Sequence, residues 1–273
     1  MSAEFSAKTY LRDIQLPFCA GCGAFTVMNI FLRAVHEMGH KDLNRFVFCS
    51  GIGCSSWIPS PHFKADTLHV THGRSIPVAL GVKLMRPDLN VVVFGGDGDI
   101  VGIGLSHLIH AARRNLDITV VMVNNMIYGM TGGQVAPTTP FKTPTTTTPY
   151  GSFERPLDAS KLVIAAGACY VARWTTMHVS QLKESLKTAI NTKGFAFIEV
   201  MSQCPTAFGR RVGFKDAGEM LQWFKANSVP VEEADKLSPD ALAGKIVVGE
   251  LAKKEAPSLT ETVYAVLKEA QKE

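Results

Sequence analysis

Long apolar runs and a strong charge of either sign are absent from this 273-residue sequence. No run approaches the ~20 apolar residues that a membrane-spanning helix needs, and the opening MSAEFSAKTY lacks the apolar core of a signal peptide. The net charge is only +4, and lysine and arginine are scattered rather than gathered in a stripe. These absences predict a cytoplasmic protein that binds neither membranes nor nucleic acid.

Cysteine is sparse, and its grouping is more informative than its number. Six cysteines in a predicted cytoplasmic protein argue against a disulfide framework, because cytosolic thiols stay reduced. Cys19 and Cys22 form a CxxC just before a helix predicted at residues 24–38. Thioredoxin-like motifs normally follow a strand, and the second CxxC or His pair of a zinc site is missing. An iron-sulfur cluster tolerates scattered thiolates, so spacing alone leaves zinc and iron-sulfur both open.

Residues 91–133 read as a strand, an acidic glycine turn, a helix, a second strand and a second polar turn. Short β-branched runs at residues 91–94 and 118–123 are typical of buried strands, and apolar residues at helical spacing lie between them. Such a βαβ unit has a right-handed crossover and parallel strands, so both turns emerge at the carboxyl edge of the sheet, where ligands bind. An α/β fold with a mostly parallel sheet is therefore predicted.

The two turns contain the oxygen ligands that Mg²⁺ prefers. Asp97 and Asn125 supply a carboxylate and an amide, while Gly96 and Gly98 let the backbone approach a diphosphate. No Gly-Lys-Ser/Thr of a Walker loop follows, and the GxGxxG order of a dinucleotide fingerprint is absent. Taken singly, Asp97 and Asn125 are better explained as ordinary turn residues.

Together, Gly96-Asp97-Gly98 and Asn124-Asn125 resemble the signature of thiamine diphosphate enzymes. The resemblance implies a doubly wound sheet with helices on both faces, and Mg²⁺ held by Asp97, Asn125 and the backbone carbonyl of Ile127. It places His72, of a His-Gly pair, beside the diphosphate. The other implied cofactor-binding residues are Ile52, Gly53, Cys54, Ser55, Gly96, Gly98, Asp99, Gly129, Met130 and Thr131.

The cysteines narrow the resemblance to the β subunits of 2-oxoacid:ferredoxin oxidoreductases. That family holds a 4Fe-4S cluster with a CxxC near the start, a Cys in Gly-Ile-Gly-Cys-Ser and a Cys in Cys-Pro-Thr. The matching residues are Cys19, Cys22, Cys54 and Cys204. Cys49 and Cys169 are left over, and Cys49 is the replacement ligand if Cys54 points away.

The family activity implied is oxidative decarboxylation of a 2-oxoacid with coenzyme A, with electrons passing through the cluster to ferredoxin; the reverse reaction is a reductive carboxylation. The sequence from Gly51 resembles the 2-oxoglutarate branch, whose product is succinyl-CoA. Trp57 occupies a position where that branch of the family carries a basic residue, so a contact with a second substrate carboxylate is in doubt. Pyruvate or a broad range of 2-oxoacids are therefore alternatives. A cluster-free thiamine decarboxylase or carboligase subunit is the other alternative.

No catalytic residue is assigned in this chain. The glutamate that activates the coenzyme in these enzymes belongs to a second domain, for which the sequence is too short. The resemblance thus implies a larger α subunit, in a dimer of heterodimers. Residues 135–156 read as a long loop, and we expect a partner subunit to cover it.

The predicted domains are residues 1–201, for the cofactor half, and a C-terminal extension at 202–273 that carries the last cluster cysteine and a terminal helix. The tail of this extension contains no catalytic motif. Arg74 is read as an anion contact or an internal ion pair. Arg210 and Arg211 are read as a basic turn or as a contact for coenzyme A phosphate.

Overall fold

The computed structural model describes residues 4–272, which fold around one sheet of eight strands. The strand order is β2-β1-β3-β4-β6-β5-β8-β7. The strands are β1 (Phe46–Ser50), β2 (Asp66–His69), β3 (Asn90–Gly96), β4 (Thr119–Asn124), β5 (Tyr170–Thr175), β6 (Ala196–Met201), β7 (Ser228–Pro230) and β8 (Ile246–Lys253). All neighbouring strands run parallel except β5 and β8, so the predicted mostly parallel sheet is confirmed.

Helices cover both faces of the sheet. One apolar core lies between the strands and α1 and α5, and a second lies between the strands and α2, α3 and α4. The helices are α1 (Gly23–Glu37), α2 (Ser75–Met85), α3 (Leu105–Arg113), α4 (Ala159–Ala166), α5 (Val179–Asn191), α6 (Ala217–Asn227), α7 (Val231–Ala234) and α8 (Leu259–Ala270). The doubly wound arrangement is therefore also confirmed. It needs central strands that are apolar on both faces, and β1, β4 and β6 are buried along their whole length.

The C-terminal region contains strands that the sequence did not predict. β8 runs antiparallel to β5 and continues the main sheet, and β7 pairs with β8. Their apolar runs are short and flanked by charged residues, so the pattern carried no strand signal. The predicted helix at the C-terminus is present as α8, where Ser258 and Glu261 form a capping box.

The domain division after Met201 stays a prediction, although β8, which follows it, belongs to the same sheet. Residues 1–3 and 273 lie outside the described residues. They are the ends of the two predicted domains, and residues 1–3 also begin the segment that was analysed for a signal peptide. In the described part of the chain, none of the helices combines the length and apolar character that crossing a bilayer requires.

Candidate functional site

The two polar turns of the βαβ unit meet in one pocket at the carboxyl edge of the sheet. Asp97 follows β3 and Asn125 follows β4, and these strands are hydrogen-bonded neighbours. The segment after β1 closes the same pocket. The lining residues are Ile52, Gly53, Cys54, Ser55, His72, Gly96, Asp97, Gly98, Asp99, Asn125, Ile127, Tyr128, Gly129, Met130 and Thr131. The structure thus brings together every residue predicted for the coenzyme and its cation, together with Tyr128.

Asp97 presents a carboxylate that is out of contact with solvent. Burial raises its pKa to about 7, although Thr138 Oγ1 and backbone N–H groups donate hydrogen bonds to it. Burial disfavours a charged carboxylate unless an opposite charge compensates. A cation at this position would supply such a charge, so the surroundings of Asp97 are compatible with a cation ligand.

The Asn124–Asn125 pair shapes the second turn with its own side chains. Asn124 Oδ1 accepts a hydrogen bond from the Met126 N–H at 3.0 Å, and Asn125 Oδ1 accepts one from the Ile127 N–H at 3.3 Å. Met126 has φ +63°, a left-handed conformation that is uncommon for a residue with a side chain. Thr139 Oγ1 donates to the Met126 carbonyl at 2.7 Å, so the turn is held from two sides.

Gly98 is required because Tyr128 packs directly against it. A Cβ at Gly98 would lie 2.1 Å from the Tyr128 ring, closer than any side chain tolerates. The Tyr128 hydroxyl donates to the Gly98 carbonyl at 3.0 Å. This contact joins the turn after β3 to the turn after β4.

Asp99 connects three loops of the pocket. Its Oδ1 accepts hydrogen bonds from the Gly73 N–H at 2.7 Å and the Ile52 N–H at 3.2 Å, and it lies 2.5 Å from His72 Nδ1. A Cβ at Gly51 would lie 2.2 Å from the Asp99 carboxylate, so the close approach needs glycine. Through the Gly73 N–H, Asp99 therefore holds the loop that carries His72 beside the pocket.

The four predicted cluster cysteines line a second cavity of about 300 Å³ next to the first. Cys19 lies just ahead of α1 and Cys22 is its N-cap, Cys54 follows β1, and Cys204 follows β6. Thr206 Oγ1 lies 3.8 Å from Cys19 Sγ and 3.9 Å from Cys204 Sγ. Residues that are far apart in the sequence are thus brought to one place by the carboxyl edge of the sheet.

Two of these thiols are held where a bare thiolate is unfavourable. Burial, with smaller contributions from the neighbouring cysteines, raises the pKa of Cys22 to about 11 and that of Cys54 to about 12. Metal binding requires thiolates and provides the positive charge that stabilises them. Within residues 4–272, no three His, Cys, Asp or Glu side chains gather closely enough to hold a single metal ion. The four cysteine thiols instead lie around the cavity that they line.

The two remaining cysteines lie elsewhere. Cys49 is fully buried in β1 and belongs to the core under α2 and α3. Cys169 is also buried, and its Sγ donates to Asn115 Oδ1 at 3.1 Å. Neither lines the cavity, so the geometry favours Cys54 over Cys49 as the third ligand.

The three arginines singled out by sequence have different surroundings. Arg74 Nη1 donates to the carbonyls of Gly73 and Ile103, both at 3.2 Å, and the described residues show it in no ion pair. Arg211 donates to the Ala207 and Gly132 carbonyls and ties the segment after Cys204 to the coenzyme loop. Arg210 is exposed. Arg74 and Arg211 therefore both donate hydrogen bonds to backbone carbonyls.

The sequence did not predict the residues that contact the two polar turns without lining the pocket. Thr138 and Thr139 were read only as part of a long loop, yet they contact Asp97 and Met126. Glu199 lies on β6 and accepts a hydrogen bond from Asn124. A charged residue inside a buried strand was the available signal, because such a group needs a specific partner.

Comparison with known proteins agrees with the geometry. Residues 51–200 match the family described as thiamine pyrophosphate enzyme, C-terminal TPP binding domain. The chain is 50% identical over 269 residues to 2-oxoglutarate synthase subunit KorB of Methanocaldococcus jannaschii, covering 98% of this chain and 99% of the relative. It is 42% identical over 232 residues to the 2-oxoacid:ferredoxin oxidoreductase subunit beta of Saccharolobus solfataricus, covering 81% of this chain and 74% of the relative.

A solved structure is similar throughout. The 2-oxoglutarate:ferredoxin oxidoreductase of Magnetococcus marinus, solved with 2-oxoglutarate, coenzyme A and succinyl-CoA bound, superposes with a TM-score of 0.87 at 34% identity. The match covers 98% of this chain and 92% of that chain. The chain therefore belongs to the family of 2-oxoacid:ferredoxin oxidoreductase β subunits, CoA-acylating oxidoreductases built on the thiamine pyrophosphate-binding fold.

Proposed function

We propose that the first pocket holds the diphosphate of thiamine diphosphate through Mg²⁺, with Asp97, Asn125 and the Ile127 carbonyl as the protein ligands. Mg²⁺ takes about six oxygens, and the diphosphate and water supply those that the protein does not. The buried carboxylate of Asp97 and the fixed turn at Met126 support this assignment. His72, held by Asp99, lies beside the diphosphate in this proposal.

Cys19, Cys22, Cys54 and Cys204 hold a 4Fe-4S cluster in this proposal. A tetrahedral zinc ion needs four ligand atoms within about 2.3 Å of one point. The described thiols do not converge in that way but line a cavity of about 300 Å³. A group of several atoms fits such an arrangement better than a single ion, which supports a cluster over the zinc ion that spacing also allowed.

The observation that carries the function is that the two sites share a wall. Cys54, Ser55, Asn125, Gly129 and Met130 line both the coenzyme pocket and the cysteine cavity. When bound, thiamine diphosphate supplies an electron sink for decarboxylation of a 2-oxoacid, and an iron-sulfur cluster supplies one-electron transfer. Adjacent sites suit oxidative decarboxylation, in which electrons leave toward ferredoxin and the acyl group passes to coenzyme A.

The proposed substrate is 2-oxoglutarate, giving succinyl-CoA. The support is twofold: relatives at 50% identity are named 2-oxoglutarate synthase subunits, and the similar structure has 2-oxoglutarate and succinyl-CoA bound. Pyruvate and a broader range of 2-oxoacids remain the alternatives, and the relatives named only for 2-oxoacids are 41–42% identical.

A larger α subunit completes the site in this proposal. No glutamate is among the described residues that line the coenzyme pocket, so the activating carboxylate comes from the partner. Residues 135–156 reach the pocket through Thr138 and expose Phe141, Tyr150 and Phe153, which suits coverage by that subunit. The expected assembly is a dimer of such pairs.

Analysis of the anaerobically purified α/β complex tests the function. We expect about four iron and four sulfide ions and one thiamine diphosphate for each copy of this chain. The complex should reduce ferredoxin with 2-oxoglutarate and coenzyme A, faster than with pyruvate. Thiamine without iron would instead indicate a decarboxylase or carboligase subunit, and zinc without iron would indicate a structural metal site.

Assay of this chain without its partner tests the need for the α subunit. We expect no decarboxylation from the chain alone and recovery of activity when the α subunit is added. Activity of the isolated chain would contradict the assignment of the activating glutamate to the partner.

A further inference from the structure

Glu199 is a buried carboxylate at the centre of the sheet that lines neither pocket. It lies on β6 and is 2% exposed. Its Oε2 accepts hydrogen bonds from Arg173 Nε at 2.8 Å and from Ser160 Oγ at 2.6 Å. Arg173 also contacts Asp158. Arginine can only donate, so this side of Glu199 must present an acceptor oxygen.

The other oxygen of Glu199 sets the orientation of the Asn124 side chain. Glu199 Oε1 accepts a hydrogen bond from Asn124 Nδ2 at 2.8 Å. Because a carboxylate only accepts, the NH₂ of Asn124 must face Glu199 and its oxygen must face the opposite way. That oxygen then accepts the Met126 N–H at 3.0 Å.

Met126 is the residue whose backbone needs this support. Its φ of +63° is unfavourable for a residue other than glycine, by about 1 kcal/mol or more. Its N–H is held by Asn124, and its neighbours Asn125 and Ile127 are the proposed cation ligands. The direction in which these two residues present their oxygens thus depends on a buried chain of contacts that begins at Arg173.

We propose that Glu199 is a positioning residue for the cation site, acting through the amide orientation of Asn124 on the turn that carries Asn125 and Ile127. This inference rests on the proposed binding of Mg²⁺ and thiamine diphosphate. It assigns no contact between Glu199 and either of them. A carboxylate is required because two donors, Arg173 on one side and Asn124 on the other, must be satisfied together.

The substitution Glu199→Gln leaves an acceptor for only one of the two donors, Arg173 and Asn124. Arg173 draws the remaining oxygen of the new amide to itself, so the NH₂ of that amide faces Asn124. Asn124 must then either face it with its own NH₂ or turn over and point that NH₂ at the Met126 N–H. Either way, two donors oppose each other in a buried site, and the turn loses its support.

A second substitution restores the pattern. With Asn124→Asp added to Glu199→Gln, the new carboxylate accepts from both the glutamine NH₂ and the Met126 N–H. Asn124→Asp alone places two carboxylates face to face beside the turn. Each single variant should therefore weaken the site, and the double variant should regain most of the loss. Simple loss of packing would not produce this reciprocal rescue.

The measurement is binding of thiamine diphosphate and of Mg²⁺ to the purified α/β complex stripped of both, by titration calorimetry. Loss of such support behind metal ligands typically costs about 10–100-fold in affinity. We expect a loss of that size in each single variant and a near-complete recovery of affinity in the double variant. Cluster absorbance, on cysteines outside this network, should stay unchanged.

Ser160→Ala is the matched control, because it removes a hydrogen bond to the same Glu199 carboxylate while leaving the oxygen that faces Asn124 in place. It should lower the thermal stability slightly and leave cofactor affinity unchanged. If Glu199→Gln does not fold, comparison of Asn124→Asp with the double variant still decides.

Wild-type affinity in a folded single variant, or no rescue in the double variant, overturns the inference. Failure of the wild-type complex to bind Mg²⁺ and thiamine diphosphate would instead contradict the proposed function. The two failures are therefore distinguishable.

Discussion

Asn125 and Cys204 both border the space beside Gly129 that a side chain at this position would occupy. A Cβ at Gly129 would lie 3.6 Å from Asn125 Nδ2 and 3.4 Å from Cys204 Sγ. The proposed cation ligand and the proposed cluster ligand therefore lie against the same side of Gly129. If both groups are bound as proposed, this shared boundary would bring the coenzyme and the cluster close together.

Substitution at Gly129 should affect both sites together. Gly129→Ala places one methyl group at ordinary contact distance, so we expect near-normal cofactor content. Gly129→Val adds two further methyl groups with no space on the Asn125 or Cys204 side, and overpacking typically costs about 1–3 kcal/mol. Thiamine and iron analysis of the two complexes should show a loss of both groups in the valine variant only. Retention of either group in full by Gly129→Val would show that the wall is not shared.

Substitution of Cys54 should lower the iron content of the complex, whereas substitution of Cys49 should not. Cys54→Ala removes a thiol from the cavity and should lower the iron content well below that of the wild type. Cys49→Ala leaves the cavity intact and only removes a buried sulfur from the core, at a cost of about 1 kcal/mol. Iron analysis and thermal unfolding separate the two effects. The reverse result, with iron lost in the Cys49 variant, would restore Cys49 as the ligand.

Removal of the Asp97 charge should stabilise the chain when cofactor is absent. Burial holds the pKa of Asp97 near 7, above its ordinary value of 3.8, so the folded state keeps a proton that the unfolded state releases. The stability of the cofactor-free chain therefore falls as the pH rises from about 4 to about 7, and stays low above that. At about pH 8 we expect Asp97→Asn to raise the cofactor-free Tm by a few degrees.

The same substitution should abolish the stabilisation that Mg²⁺ and thiamine diphosphate give to the wild type. Thermal unfolding of the complex, with and without the cofactors, measures both effects. At about pH 4 the wild type and the variant should unfold at similar temperatures, because the wild-type carboxyl is then protonated in the folded state. An unchanged cofactor response in Asp97→Asn would exclude this residue as a ligand.

Asp99 offers a further test, because its amide and alanine variants differ in what they remove. Asp99→Ala leaves the Gly73 and Ile52 N–H groups without their acceptor, which should cost about 2 kcal/mol or more and loosen the His72 loop. Asp99→Asn keeps an oxygen for those two groups, but it loses the charge beside His72 and puts an NH₂ at the position of Oδ2, which is buried and has no hydrogen-bond partner among the described residues. Urea unfolding and thiamine diphosphate titration should rank the wild type first, Asp99→Asn second and Asp99→Ala last. Equal stability of the two variants would contradict the acceptor role.

Local sequence was sufficient for the main elements of the fold and for the chemical character of the site. The strands of the βαβ unit, α1 and α8 follow from apolar periodicity, which acts over a few residues. The Gly-Asp-Gly turn and the Asn-Asn pair are likewise local, because hydrogen bonds between near neighbours shape them.

The meeting of distant groups could be read only from the folded chain. The contact of Thr138 with Asp97 and the pairing of β8 with β5 depend on packing across the whole sheet. The convergence of Cys19 with Cys204 depends on the same packing and was expected only from the family resemblance. Glu199 is a single charge in an apolar strand, and its role is visible only when β4 and β6 lie side by side. Neighbouring residues set backbone preference and side-chain chemistry, whereas burial and long-range packing select the partner of each group.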